Sequence, residues 1–162
     1  MTAVLKRRAP AARQSAKPLL VQPAAVTAFA NTPLSFVNEG AASQIAHIRR
    51  GISPAAVTVL ADHLDMSRDA LVKAVGLASS TVKARRTADK PLSTVETERL
   101  ARVARVVIRA AQVFEDNAAA LAWVKRPNRS LGGEMPLALL DTDAGIELVL
   151  DTLGRIENGI TA

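Results

Sequence analysis

From Ser53 onward the apolar positions of the chain recur at helical spacing, and the gaps between them carry the chemistry of helix ends. Ser53-Pro54 opens a helix to about Leu64, with Val57, Leu60, Ala61 and Leu64 on one face. Ser67 caps a second helix over 68–75, with Asp69 in its first turn and Leu71 and Val75 sharing a side, and Gly76 ends it. Ser79 or Ser80 starts a short third helix reaching about Thr87. Pro91 stops it, and Ser93 with Glu96 forms a capping box for a long helix to about Glu115. On that helix Leu100, Val103, Val107, Ala110 and Phe114 form one stripe, and Arg99, Arg102, Arg105 and Arg109 another. Asp116 or Asn117 then begins a helix to about Val124, Pro127–Gly133 is a turn-rich loop, and Met135–Leu140 is a short helical turn. Asp143 to Ile156 forms the last helix, with Ile146, Val149, Leu150 and Leu153 inward, and Asn158 and Gly159 end it.

Before Ser53 the pattern is weaker. Residues 1–34 are rich in Ala and Pro, and Pro10, Pro18, Pro23 and Pro33 interrupt any helix, which predicts a flexible arm. A short helix through Ala41 to Arg49, ended by Gly51, is expected next. With no strand alternation and no internal repeat, the fold class is all-α, divided as an arm (1–34), a helix-turn-helix domain (35–92) and a second small helical domain (93–162).

Composition narrows the picture. Hydrophobic residues make up 49% of the 162 but aromatics only 2%, so the core is built from Ala, Val, Leu and Ile, which suits closely packed helices. The absence of cysteine excludes disulfides and thiolate sites and fits a reducing cytoplasm. No apolar run reaches the roughly 18 residues that would read as a membrane span. The net charge of +6 is unevenly spread: residues 1–20 carry +5, residues 21–66 carry −1, residues 67–90 carry +4, and the remainder carries −2. That is the pattern of a polyanion-binding half joined to a half that binds something else.

The second basic segment coincides with the two short helices that meet across Gly76, Leu77 and Ala78, the length and chemistry of a helix-turn-helix. Leu71, Val75, Leu77 and Val82 are spaced to hold the two helices at a fixed angle. Ser79, Ser80, Thr81, Lys83, Arg85 and Arg86 are left as the candidates to face DNA, with hydroxyls suited to phosphate and cations suited to phosphate or guanine. Lys83 and Arg86 are the strongest of these. Val72 stands where such motifs prefer alanine, which predicts looser helix packing.

Further on, the run from Trp123 through Pro127-Asn128 and Leu131-Gly132-Gly133, then Pro136-Leu137-Ala138-Leu139-Leu140, Gly145, and Arg155-Ile156-Glu157-Asn158-Gly159, resembles the toxin-binding domain of Xre/MbcA/ParS-like antitoxins. The resemblance covers about residues 53–162 and implies a Cro-like helix-turn-helix bundle followed by a small helical toxin-binding domain. It implies a protein that is not an enzyme and needs no cofactor. Such antitoxins occlude a RES-domain toxin that degrades NAD and repress their own operon by binding operator DNA, as homodimers within larger toxin–antitoxin assemblies. On this resemblance Arg155, Glu157, Asn158, Gly159 and Ile160, a short polar tail freed by Asn158 and Gly159, are the candidate toxin contacts. The residues themselves argue first for architecture: Trp123, Leu131, Leu137 and Leu140 are expected in the core.

Other chemistries find little support. Only His47 and His63 are present as imidazole ligands, Asp141 and Asp143 flank a helix start where Asp serves as a cap, and no phosphate-cradling GxxxxGK[ST] motif occurs. The alternative reading is a repressor or partition-type DNA-binding protein with no toxin partner, its C-terminal half serving dimerisation.

Overall fold

The computed structural model describes residues 28–160, and most of the expected basic arm (1–27) and residues 161–162 lie outside the described residues. Seven α-helices follow one another: α1 (Ala41–Arg50), α2 (Ala55–His63), α3 (Arg68–Ala74), α4 (Ser79–Thr87), α5 (Thr94–Phe114), α6 (Asn117–Val124) and α7 (Asp143–Glu157). Short 3-10 turns occupy Ser35–Asn38, Arg129–Leu131 and Pro136–Leu139, and no strand occurs among the described residues. The described residues are therefore all-helical, as the hydrophobic periodicity predicts.

Four helix starts are closed by a side chain that accepts an otherwise orphaned amide: Ser67 on α3, Ser93 on α5, Asp116 on α6 and Thr142 on α7. The Ser93–Glu96 capping box is complete, with the Ser93 N–H donating to Glu96 Oε2 at 2.6 Å. At α2 the expected Ser53 cap is shifted by one residue. Pro54 already has right-handed helical angles, and Ser53 Oγ accepts from the Ala55 N–H at 3.3 Å.

The long helix α5 is the spine of the molecule. Beyond the predicted stripe of Leu100, Val103, Val107 and Ala110, it also buries Ala101, Ala104, Val106, Ile108 and Ala111. More than one face is covered because α1 and α2 pack on it from the N-terminal half and α6 and α7 from the C-terminal half. Small side chains on α5 allow this close approach, so the apolar residues of both halves join in one core running from Phe29 to Leu153.

Three expectations are corrected. Residues 28–34, assigned to the flexible arm, are folded: Phe29 and Leu34 are fully buried, and Thr32 Oγ1 donates to the Phe29 carbonyl at 2.7 Å in a tight turn. Prolines exclude a helix there, but they do not prevent two large apolar side chains from anchoring a turn in a core short of aromatics. Trp123 is only half-buried, its ring 5.8 Å from that of Phe114, while Leu131, Leu137 and Leu140 are buried as expected. Leu150 is 36% exposed, because α7 docks through Ile146, Val149 and Leu153, and Leu150 falls beyond the edge of that stripe.

Candidate functional faces

The α3–α4 pair is built around a sharp turn. Gly76 has φ +67°, and the Leu77 N–H donates back to the Val72 carbonyl at 2.9 Å, closing α3. Leu71, Val72, Val75 and Val82 are buried beneath the two helices and Leu77 is half-buried, so Val72 is accommodated within the core. From α5, Arg99 donates to the Gly76 carbonyl, fixing the turn to the spine.

Over this core lies a cleft of about 530 Å³ whose polar lining comes from the start of α3 (Ser67, Arg68, Asp69) and from Ser79, Ser80, Lys83 and Arg86 of α4. The last four stand at one-turn and two-turn spacing on α4 and share a face. Thr81 is exposed but does not line the cleft. Arg85 is turned the other way: its Nε lies 2.8 Å from Glu96 Oε2, an ion pair not aligned for a hydrogen bond, and its Nη1 donates to the Pro91 carbonyl at 3.0 Å. Of the six predicted residues, Arg85 therefore ties α4 to α5, while Ser79, Ser80, Lys83 and Arg86 are gathered on the cleft. Arg68, missed in the sequence, joins them, and its place directly after the Ser67 cap was the signal.

The start of α4 differs from its neighbours. The helix begins at Ser79, as expected, but its N-cap is Ala78, which offers no side-chain acceptor. The Thr81 N–H donates to the Ala78 carbonyl at 3.0 Å, while the Ser79 and Ser80 amides and hydroxyls have no partner among the described residues, an arrangement suited to a phosphate oxygen.

At the other end of the molecule, α7 is bound to the arginine stripe of α5. Arg102 pairs with Asp143 in the first turn of α7 and with Glu98 at 2.9 Å, and Arg109 holds Glu157 in the last turn through two hydrogen bonds, one of 3.2 Å. Arg155 Nη2 reaches Asp151 at 3.2 Å and Thr152 Oγ1 at 3.4 Å. Asn158 Nδ2 donates to the Gly154 carbonyl at 2.7 Å, Gly159 has φ +68°, and the Ile160 N–H donates to the Arg155 carbonyl at 3.0 Å. The five candidate residues are thus close together, but not as an extended tail. Asn158 and Gly159 fold the chain into a helix-ending turn that leaves Ile160 58% exposed.

His63 has its pKa lowered by burial, its ring lying 4.9 Å from that of Phe29. Among the described residues no group of three or more His, Asp or Glu side chains is arranged to hold a metal ion, and no helix is long and apolar enough to cross a membrane.

A helix-turn-helix with a basic, uncapped second helix, joined through a shared spine to a second helical unit, defines a two-part regulator. Two family models divide the chain accordingly: the Antitoxin Xre-like helix-turn-helix domain matches residues 43–105, and the Antitoxin Xre/MbcA/ParS C-terminal toxin-binding domain matches residues 109–159. The chain belongs to this antitoxin family. It is 36% identical over 91 residues to an Antitoxin Xre of Yersinia enterocolitica, covering 56% of this chain and 62% of that protein. A second Antitoxin Xre, from Photorhabdus laumondii, is 43% identical over 68 residues, or 41% of this chain and 46% of its own length. The chain thus spans about half the length of these two relatives. A Prs ADP-ribosylating antitoxin of a Sphingobium strain is 26% identical over 128 residues, covering 74% of this chain and 80% of that protein.

Proposed function

We propose that this chain binds and occludes a RES-type toxin that degrades NAD, and represses its own operon by binding promoter DNA as a homodimer within a larger toxin–antitoxin assembly. The observation that carries this reading is the division of cations about α5. Lys83, Arg86 and Arg68 on the helix-turn-helix cleft enter no ion pair among the described residues, whereas Arg102, Arg105, Arg109 and Arg155 on α5 and α7 are all paired, and the unpaired arginines beyond α5, Arg126 and Arg129, lie in the loop after α6. Unpaired cations beside uncapped helix amides suit DNA, and neutralised ones suit a protein interface. Ser79, Ser80, Lys83 and Arg86 make the DNA contact, and Arg85 holds α4 in place. At the toxin face Ile160 is the apolar anchor, with Arg155, Glu157, Asn158 and the Gly159 backbone as its polar rim. ADP-ribosyl transfer, the reaction in the Sphingobium relative's name, draws on NAD, which supports a partner of NAD chemistry.

The test co-expresses the full chain with its toxin and follows growth, cellular NAD and an operator gel shift. Lys83→Ala with Arg86→Ala is expected to lose the gel shift and retain growth rescue. Deletion of 158–162 spares the Arg109–Glu157 bond and is expected to lose rescue and retain the gel shift. Unchanged operator affinity in the first variant overturns the α4 assignment. Continued rescue by the second moves the toxin contact to residues 117–140.

A further inference from the structure

We infer that Arg49, Arg50 and Lys90 form a second phosphate-binding patch that grips the DNA backbone beside the α4 contact. This rests on the DNA-binding reading above and adds a site to it. Lys90 is about 40 residues from the adjacent Arg49 and Arg50, which lie in a segment whose charge is −1 overall, so no single charge run reveals the three together. Gly51 brings them together. It ends α1 at φ +80°, and a Cβ there would overlap the Leu92 carbonyl oxygen and stand 3.3 Å from Pro91 Cβ. The Leu92 N–H donates to the Ile52 carbonyl at 2.8 Å, and Arg85 of α4 holds the Pro91 carbonyl from the other side. The end of α1 and the loop leaving α4 are therefore in backbone contact. Arg50 and Lys90 each stand one residue from that contact, a step of about 3.8 Å.

All three side chains are exposed, and none enters an ion pair or hydrogen bond among the described residues. Arg49 and Arg50 also sit in the last turn of α1, where the helix dipole favours cations. When the start of α4 faces the bases, the loop after α4 leaves the groove over the flanking phosphates, where duplex DNA presents one charge per roughly 1.7 Å of axis. Lys83 and Arg86, then Lys90, then Arg50 and Arg49 give a basic surface that continues from the groove onto the backbone. Asp89, exposed at φ +49° next to Lys90, is the acid that opposes it.

Fluorescence anisotropy of the full chain on operator and on unrelated duplex, between 50 and 200 mM salt, tests the patch. Arg49→Ala with Arg50→Ala is expected to weaken both duplexes by the same factor, roughly tenfold at 0.1 M salt, and to lower the salt slope by about two. Lys90→Ala should lower it by about one. Asp89→Asn, which tolerates the left-handed backbone, should tighten both duplexes. Affinity and slope unchanged in the double variant overturn the patch, as does a loss confined to the operator, which would mark base reading instead. If the wild-type chain binds neither duplex at 50 mM salt, the DNA-binding reading fails and the patch fails with it.

Discussion

Gly145 and Gly154 lie in the same helix, but a methyl group added at each meets different surroundings. At Gly145 a Cβ would overlap the Leu139 carbonyl oxygen and stand 2.9 Å from Thr142 Oγ1, so the start of α7 packs on the preceding 3-10 turn only because that position lacks a side chain. At Gly154 there is open space. Gly145→Ala is expected to cost about 1–3 kcal/mol, and Gly154→Ala to stabilise by about 0.5–1 kcal/mol by relieving the helix-interior penalty of glycine. Thermal melts would show this as a fall in Tm for the first and a rise for the second, at roughly 2–4 °C per kcal/mol. A pH effect is also expected at the residue scale. Burial against Phe29 lowers the His63 pKa below 6.5, and Nε2 is buried without a hydrogen-bond partner among the described residues, so the unfolded chain takes up that proton more readily. The stability this contributes is present above about pH 6.5 and lost as pH falls below it. His63→Leu should reduce the fall in Tm between pH 7.5 and 5.5; an identical fall would show that another group is responsible.

At the scale of elements, the placing of α4 depends on a polar contact more than on its own apolar face. Val82 is the buried residue within α4, and Arg85 spans from α4 to both Glu96 and the Pro91 carbonyl. Glu96 is 8% exposed, so Arg85→Ala leaves a buried carboxylate with its capping bond to Ser93 but without its cation. The expected loss is about 1–3 kcal/mol of stability. Lys83→Ala and Arg86→Ala change exposed residues and should leave Tm within about 2 °C of wild type while weakening DNA binding. Melting and gel shift on the three single variants separate these roles. If Arg85→Ala melts like wild type but loses DNA, Arg85 reads DNA after all.

Across the whole molecule, α5 belongs to both halves. The two family matches divide at residues 105 and 109, in the middle of a helix whose buried residues touch α1 and α2 on one side and α6 and α7 on the other. Because one core spans Phe29 to Leu153, the chain should unfold in urea as a single cooperative unit. Fluorescence of Trp123 reports on the C-terminal half, and circular dichroism on all the helices. Their midpoints should coincide, and two separated transitions would show that the halves fold independently.

What the sequence determined by itself is what local chemistry controls. Ser67, Ser93 with Glu96, and Asp116 cap helices as their spacing predicts, Gly76 turns α3 into α4, and the heptad-like recurrence of Leu100, Val103, Val107 and Ala110 marks the spine. The exposed cations of α4 were legible for the same reason: a helix of known phase assigns its faces. Tertiary structure decided everything that depends on contacts between distant segments. It folded Phe29 and Leu34 into the core, turned Arg85 toward Glu96, set Leu150 at the rim of α7, and brought Gly51 at the end of α1 against Pro91 and Leu92. Periodicity fixes which residues share a face, but only the packing of one element on another decides which faces meet.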